Sequence, residues 1–122
     1  MGVVVKQLVN YTGSLTEMHG LMHVSGKRGE RFILRSAYGQ KLYGVRPESF
    51  TPVETPKLNI RRAEGLRAIN HIRGGRYGWT MPGKQTVAWL LDQKLVERDE
   101  NGKLRVTHLG YELDAAVEIH IY

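Results

Sequence analysis

The chain contains no cysteine, which removes disulfides, thiolate metal sites and cysteine nucleophiles and fits a reducing interior. No apolar stretch approaches the roughly 20 residues that a membrane span needs. The N-terminal MGVVVKQLV has a short apolar run but neither the charged lead nor the long apolar region of a signal peptide. A P-loop, a G-x-S-x-G elbow, an H-E-x-x-H helix and a dinucleotide glycine pattern are all missing, so no catalytic set is expected. These absences predict a soluble, cytoplasmic protein that is not an enzyme. They predict no membrane partner, no cofactor and no metal. His19 and His23 share strand parity, but zinc wants three or four ligands and no further ligand stands at a recognised spacing.

Acid is scarce in one place. Residues 57–84 carry seven Lys/Arg against Glu64 alone, a net of +6. Residues 1–56 carry seven basic and four acidic residues, and residues 85–122 four basic and seven acidic, nets of +3 and −3. The overall +6 and the pI near 9.8 therefore come from a focus in the middle of the chain. Such a focus favours polyanions, although a solvated helix face has the same composition.

The 122 residues suit one ordinary domain or two very small ones, and the 41% apolar content suffices for a core. Residues 1–54 read as strands. Val3-Val4-Val5 opens a segment ending near Val9, and Leu15 to Val24 forms the next. Ser25-Gly26-Lys27-Arg28-Gly29 is expected as a turn, Arg31 to Ser36 as a strand and Tyr38-Gly39-Gln40 as a turn. Lys41 to Arg46 follows as a strand bringing Leu42 and Val45 to a core, then a turn at Pro47-Glu48-Ser49 and a last strand from Phe50 to Val53. Turn signals every 8–12 residues or so predict a small antiparallel sheet or barrel. Five short strands ending in VRPESFTPV resemble an SH3-like barrel over residues 3–53. That resemblance implies proline-rich peptides, modified tails, RNA, DNA or no ligand at all. Tyr11, Tyr38, Tyr43 and Phe50 would line a peptide groove or, as the favoured reading, pack in core and rim.

Pro52 and Pro56 mark a linker, and a second domain is expected over residues 57–122. Leu58, Leu66, Ile69 and Ile72 predict a helix capped by Asn59 and ended by Gly74-Gly75. The loop from Gly74 to Gly83 interleaves Arg76, Tyr77 and Trp79 with glycine. It can wrap a phosphate backbone, or connect two helices with Trp79 as a plug in the core, which is the expectation for that residue. Thr80 is expected to cap a second helix running to about Lys94, with Val87, Leu90, Leu91 and Leu95 as its core stripe. Trp89 is assigned to a packing or dimer surface.

An apolar pair Leu95-Val96, a charged hairpin around Asn101-Gly102 and a helix opening Thr107-His108-Leu109-Gly110 complete the pattern. Asn-Gly is read as a two-residue hairpin turn and Thr107 as a helix cap. Residues 60–116 thereby resemble a winged helix-turn-helix module of the MarR and PadR kind. The sequence departs from that family at Lys94, where glycine is usual, and at Asp99 and Glu100 in the wing. It also leaves little room for the second helix of a standard helix-turn-helix.

The fold expected is therefore α+β, a small SH3-like antiparallel β-barrel followed by a compact winged-helix module. The resemblance implies DNA binding and a regulatory role. Arg61, Arg62, Arg67 and Arg73 would contact phosphates, and Arg76 is open to the same use. Lys84, Gln85 and Thr86 would approach the groove from the start of the recognition helix, and Arg98, Lys103 and Arg105 would lie on the wing. Nucleic acid, duplex DNA first, is the expected partner. A protein partner, with the chain as adaptor or inhibitor of a larger machine, is the alternative, and RNA a third. Val117, Ile119 and Ile121 alternate with polar residues as a strand that would pair with Val3-Val4-Val5, pair with a second copy in a homodimer, or extend the last helix.

Overall fold

The first strand-forming run divides in two. In the computed structural model, which describes residues 2–120, β1 (Gly2–Val5) and β2 (Leu8–Tyr11) belong to different sheets. Gln7 holds the break, its side-chain amide donating to the carbonyls of Leu8 (2.7 Å) and Val53 (3.1 Å). A single 3-10 turn, Thr16–Met18, replaces the expected start of the next strand, and β3 (Gly20–Arg28) follows. His19 therefore lies off the strand, its Nε2 2.6 Å from the Gly13 carbonyl, and shares no face with the buried His23. β3 runs straight through Ser25-Gly26, where a turn was expected. The extra residue is absorbed as a bulge between Val24 and Gly26, and the chain reverses instead at Gly29, whose φ of +59° suits glycine.

β4 (Arg31–Arg35) and β5 (Lys41–Val45) complete a meander. Leu42 opposes Leu34 and Val45 opposes Phe32, so β5 also carries one extra residue. Gly44, at φ +64°, takes it up, which lets Leu42 and Val45 both face inward although three residues apart. A 3-10 turn at Pro47–Ser49 leads into β6 (Phe50–Pro52). The order is β5-β4-β3-β2-β6, antiparallel throughout. β5 and β6 remain its two edges, so the sheet does not close into a barrel by hydrogen bonding. Val9, Tyr11, Met22, Leu34, Leu42 and Val45 form its core.

Three helices follow. α1 (Ile60–Arg73) starts where Asn59 Oδ1 accepts the Arg62 amide at 2.8 Å, and it stops at Gly74. α2 (Lys84–Asp92) is followed by the hairpin β7 (Val96–Arg98) and β8 (Leu104–Val106), then α3 (His108–Ala116) and β9 (Val117–His120). The hairpin does not use a two-residue Asn-Gly turn. The Asp99 amide donates to the Lys103 carbonyl (2.8 Å), and Asp99 Oδ1 accepts the amides of Asn101 and Lys103. An acceptor ahead of the turn thus favours a longer loop, with Gly102 at φ +76°.

β9 pairs antiparallel with β1, Val3 opposite Ile119 and Val5 opposite Val117. Of the three fates open to the last segment, pairing with the N-terminal valines is the one observed. The expected continuation to Ile121 and Tyr122 lies outside the described residues. A second core gathers Leu66, Ile69, Leu90, Leu95, Leu113 and Val117 together with Leu8. β2 thus serves both cores, Leu8 on one face and Val9 on the other. The result is a mixed α+β protein. Among the described residues no helix is long and apolar enough to cross a membrane.

Across the junction, the fully buried Glu112 of α3 accepts the Ala37 amide at 2.8 Å and lies 3.7 Å from His23 Nδ1. Tyr38 leans on Tyr111 and stacks on His108. Tyr11 and Phe50 pack in the first core, and Tyr43 stands exposed.

Candidate functional site

Gly65 lets the two helices of the basic segment meet. A Cβ there would lie 2.8 Å from Thr86 Cγ2 and 3.2 Å from Pro82 Cβ, so α1 admits α2 only at a residue without a side chain. The same packing turns Thr86 inward. It is buried against α1 at 8% exposure, and what it shows of itself lines the floor between the two helices. α2 also starts later than its sequence suggests. Thr80 would place Met81 in the first turn, directly before Pro82, and proline disfavours helical geometry in the residue before it. Residues 79–83 accordingly stay outside the helix. Gly83 occupies the cap position and makes no side-chain cap bond.

Between α1, α2 and the 79–83 segment lies an open groove of about 1290 Å³. Arg61, Arg62, Lys84, Gln85 and Thr86 line it, so five of the candidate residues come together from two separate elements. Arg67 reaches the groove too, but its guanidinium is committed. Its Nε donates to Asp114 Oδ1 (3.0 Å), and Nη2 donates to the carbonyls of Asp114 (3.0 Å) and Val117 (2.8 Å). Asn70 completes the cage by donating to Asp114 Oδ2 at 2.8 Å. With Arg67 cancelled by Asp114, the groove presents Arg61, Arg62 and Lys84 against Glu64, and its potential is positive.

Two indoles share the groove. Trp79 is not a core plug: it is 40% exposed and stacks on His71, with centroids 4.6 Å apart and planes at 23°. Trp89 lies under the Arg62 guanidinium at 4.0 Å, a cation–π contact. Met81, 46% exposed, adds an apolar lip. The sequence signal for this aromatic share is thin. Trp79 lies inside the basic segment and Trp89 just after it, but nothing in their spacing announces that they converge.

The remaining candidates lie elsewhere. Arg73 reaches Asp99 at the hairpin tip, 2.7 Å away. That hydrogen bond, helped by the amides of Lys103 and Asn101, holds the Asp99 carboxyl below the usual carboxylate range. Arg105 pairs with Glu97 at 2.9 Å, and Arg98 donates to the Gly102 carbonyl at 3.0 Å. Arg76 and Lys103 are exposed but do not line the groove. Among the described residues no group of three or more His, Asp or Glu is placed to hold a metal ion.

The start of α3 is built with equal economy. Thr107 Oγ1 accepts the Gly110 amide (3.0 Å) and donates to the Lys94 carbonyl (2.7 Å). A Cβ at Gly110 would collide with the Leu95 carbonyl, so only glycine fits beneath that stretch of backbone. Lys94 itself adopts φ +59°, alone among the described non-glycine residues. Comparison with protein-family models, with curated proteins and with solved structures returns no match.

Proposed function

We propose that the chain is a small nucleic-acid-binding protein of regulatory type that grips duplex DNA with the start of α2 and the outward cations of α1. The observation that carries this reading is the convergence of Arg61, Arg62, Lys84 and Gln85 on one positive groove. Guanidinium and ammonium groups neutralise phosphates and release counterions, while the Gln85 amide offers a donor and an acceptor to a base edge. On this reading the C-terminal half is a winged-helix module. Its support is the helix, hairpin, helix order and the Thr107–Gly110 start. Lys94 adds to it, because its left-handed backbone explains why glycine is usual at that position in the family. The N-terminal half is then an SH3-like, partly open sheet, a reading supported by its strand order and by the 3-10 turn before β6.

The departures from that family move the contact. Residues 74–83 form no helix, and the wing cations Arg98 and Arg105 are already engaged. Binding therefore falls to the groove rather than to the wing. The test is a salt titration of duplex affinity. Arg61→Ala with Lys84→Ala is expected to weaken binding and reduce the salt slope by about two units, with melting unchanged. Absent binding at low salt, or an unchanged slope, would falsify the reading.

Met81 and Trp79, both well exposed at the groove lip, favour a second reading in which an acidic, apolar segment of a partner protein docks there. A pulldown after nuclease treatment separates the two: a single protein recovered by the wild-type chain and lost with the double variant supports the partner.

A further inference from the structure

The groove contains more than a duplex contact requires. Phosphates are met by cations on a projecting surface, yet here both tryptophans of the chain line a recess. We propose that this recess takes an unpaired nucleotide, its base stacked on Trp79 and its phosphate held by Arg61 and Lys84. The proposal rests on the nucleic-acid reading above and names the form of nucleic acid that the site prefers.

Three features support it. First, each indole is already set in place by a neighbour. His71 covers one face of Trp79 nearly in parallel, and Arg62 covers Trp89. A ring fixed before binding loses little rotamer freedom when a base stacks on it. Trp79 keeps 40% of its surface exposed, which leaves area for a second stacking partner. Second, the space is sufficient. At about 1290 Å³ the recess exceeds the roughly 300–1,000 Å³ of small-molecule sites, so a nucleotide fits with part of its neighbour. Third, two cations of the same groove are open to an anion. Arg61 and Lys84 make no ion pair among the described residues, whereas Arg67 at the same groove is neutralised by Asp114. Base stacking is tolerant of sequence because every base has a π-face, so the preference expected is for unpaired over paired nucleotides rather than for one base.

Tryptophan fluorescence reads the site directly, since both indoles line it. The full chain is titrated with oligothymidylate, with a matched duplex and with the same duplex carrying one bulged nucleotide. Single strand and bulged duplex should quench the emission and bind more tightly than the matched duplex. Trp79→Ala should weaken those two by on the order of tenfold and leave the matched duplex little changed. Trp79→Phe, which keeps a stacking ring, should restore most of the loss and shows that the alanine effect is not misfolding. If Trp79→Ala weakens all three ligands alike, or none, the unpaired-nucleotide proposal falls. The duplex reading survives that result provided Arg61→Ala with Lys84→Ala still weakens every ligand. If none of the three binds and a polyglutamate peptide quenches instead, both fall.

Discussion

Arg61 and Arg67 stand on one helix, less than two turns apart, and they are used in opposite ways. Arg67 spends three donor contacts on Asp114 and Val117, tying α1 to the end of α3, while Arg61 makes no ion pair among the described residues and lines the groove. A segment's net charge counts both equally. Only the unpaired cation adds to the field that an incoming anion meets, whereas the paired one fixes the scaffold that holds the groove open. Arg73, bound to Asp99, belongs with Arg67, and Lys84 belongs with Arg61.

Cutting the scaffold pair should give the largest effect. Asp114→Ala strands Arg67 and Asn70 in a part-buried site and should lower stability by about 3 kcal/mol in chemical denaturation. Nucleic-acid affinity of the folded protein should rise modestly, because the freed Arg67 then adds to the field of the groove it lines. Such a rise with little loss of stability would move Arg67 into the groove set and break the comparison. Lys94 tests a third use of a cation, in which the backbone matters rather than the charge. Lys94→Gly should relieve the left-handed strain and raise stability by ~1 kcal/mol, with affinity unaltered because the residue lies outside the groove. Lost affinity would show that its ammonium counts after all.

The smallest effect concerns Asp99. Its folded-state carboxyl is held low, so the stability it contributes is fully present above the unfolded aspartate range near pH ~4. That contribution is lost as pH falls through the lower folded value. Asp99→Asn should flatten the acid limb of a melting-temperature profile and barely move the neutral plateau, as expected of an ion pair whose arginine stays open to solvent. An acid limb identical to the wild type would show that the Arg73–Asp99 pair holds nothing.

The sequence made the local devices readable. Asn59, Thr107 and the alternation through Val117 and Ile119 each act within a few residues, and each does what its residue type suggests. Thr80 misled because Pro82 overrides it two positions later. Ser25-Gly26 misled because glycine serves a bulge as readily as a turn, and only the partner strand decides. The groove was half legible. Its cations show as a charge focus, but the inward rotation of Thr86 depends on Gly65 of another helix. The neutralisation of Arg67 depends on an aspartate 47 residues away. Trp79 and Trp89 converge through the same distant packing, which no local pattern encodes.

The β1–β9 ladder has a kinetic consequence. Its register sets Gly2 opposite His120, so it closes a far longer loop than the strand pairings of the meander do. Closing a long loop costs entropy that only finished structure on either side repays. The ladder is therefore the natural last step of folding. Because Lys6 and Gln7 alone separate it from β2, whose two faces serve both cores, the ladder adds a further tie between sheet and helices to those made by Glu112 with Ala37 and by Tyr38 with Tyr111.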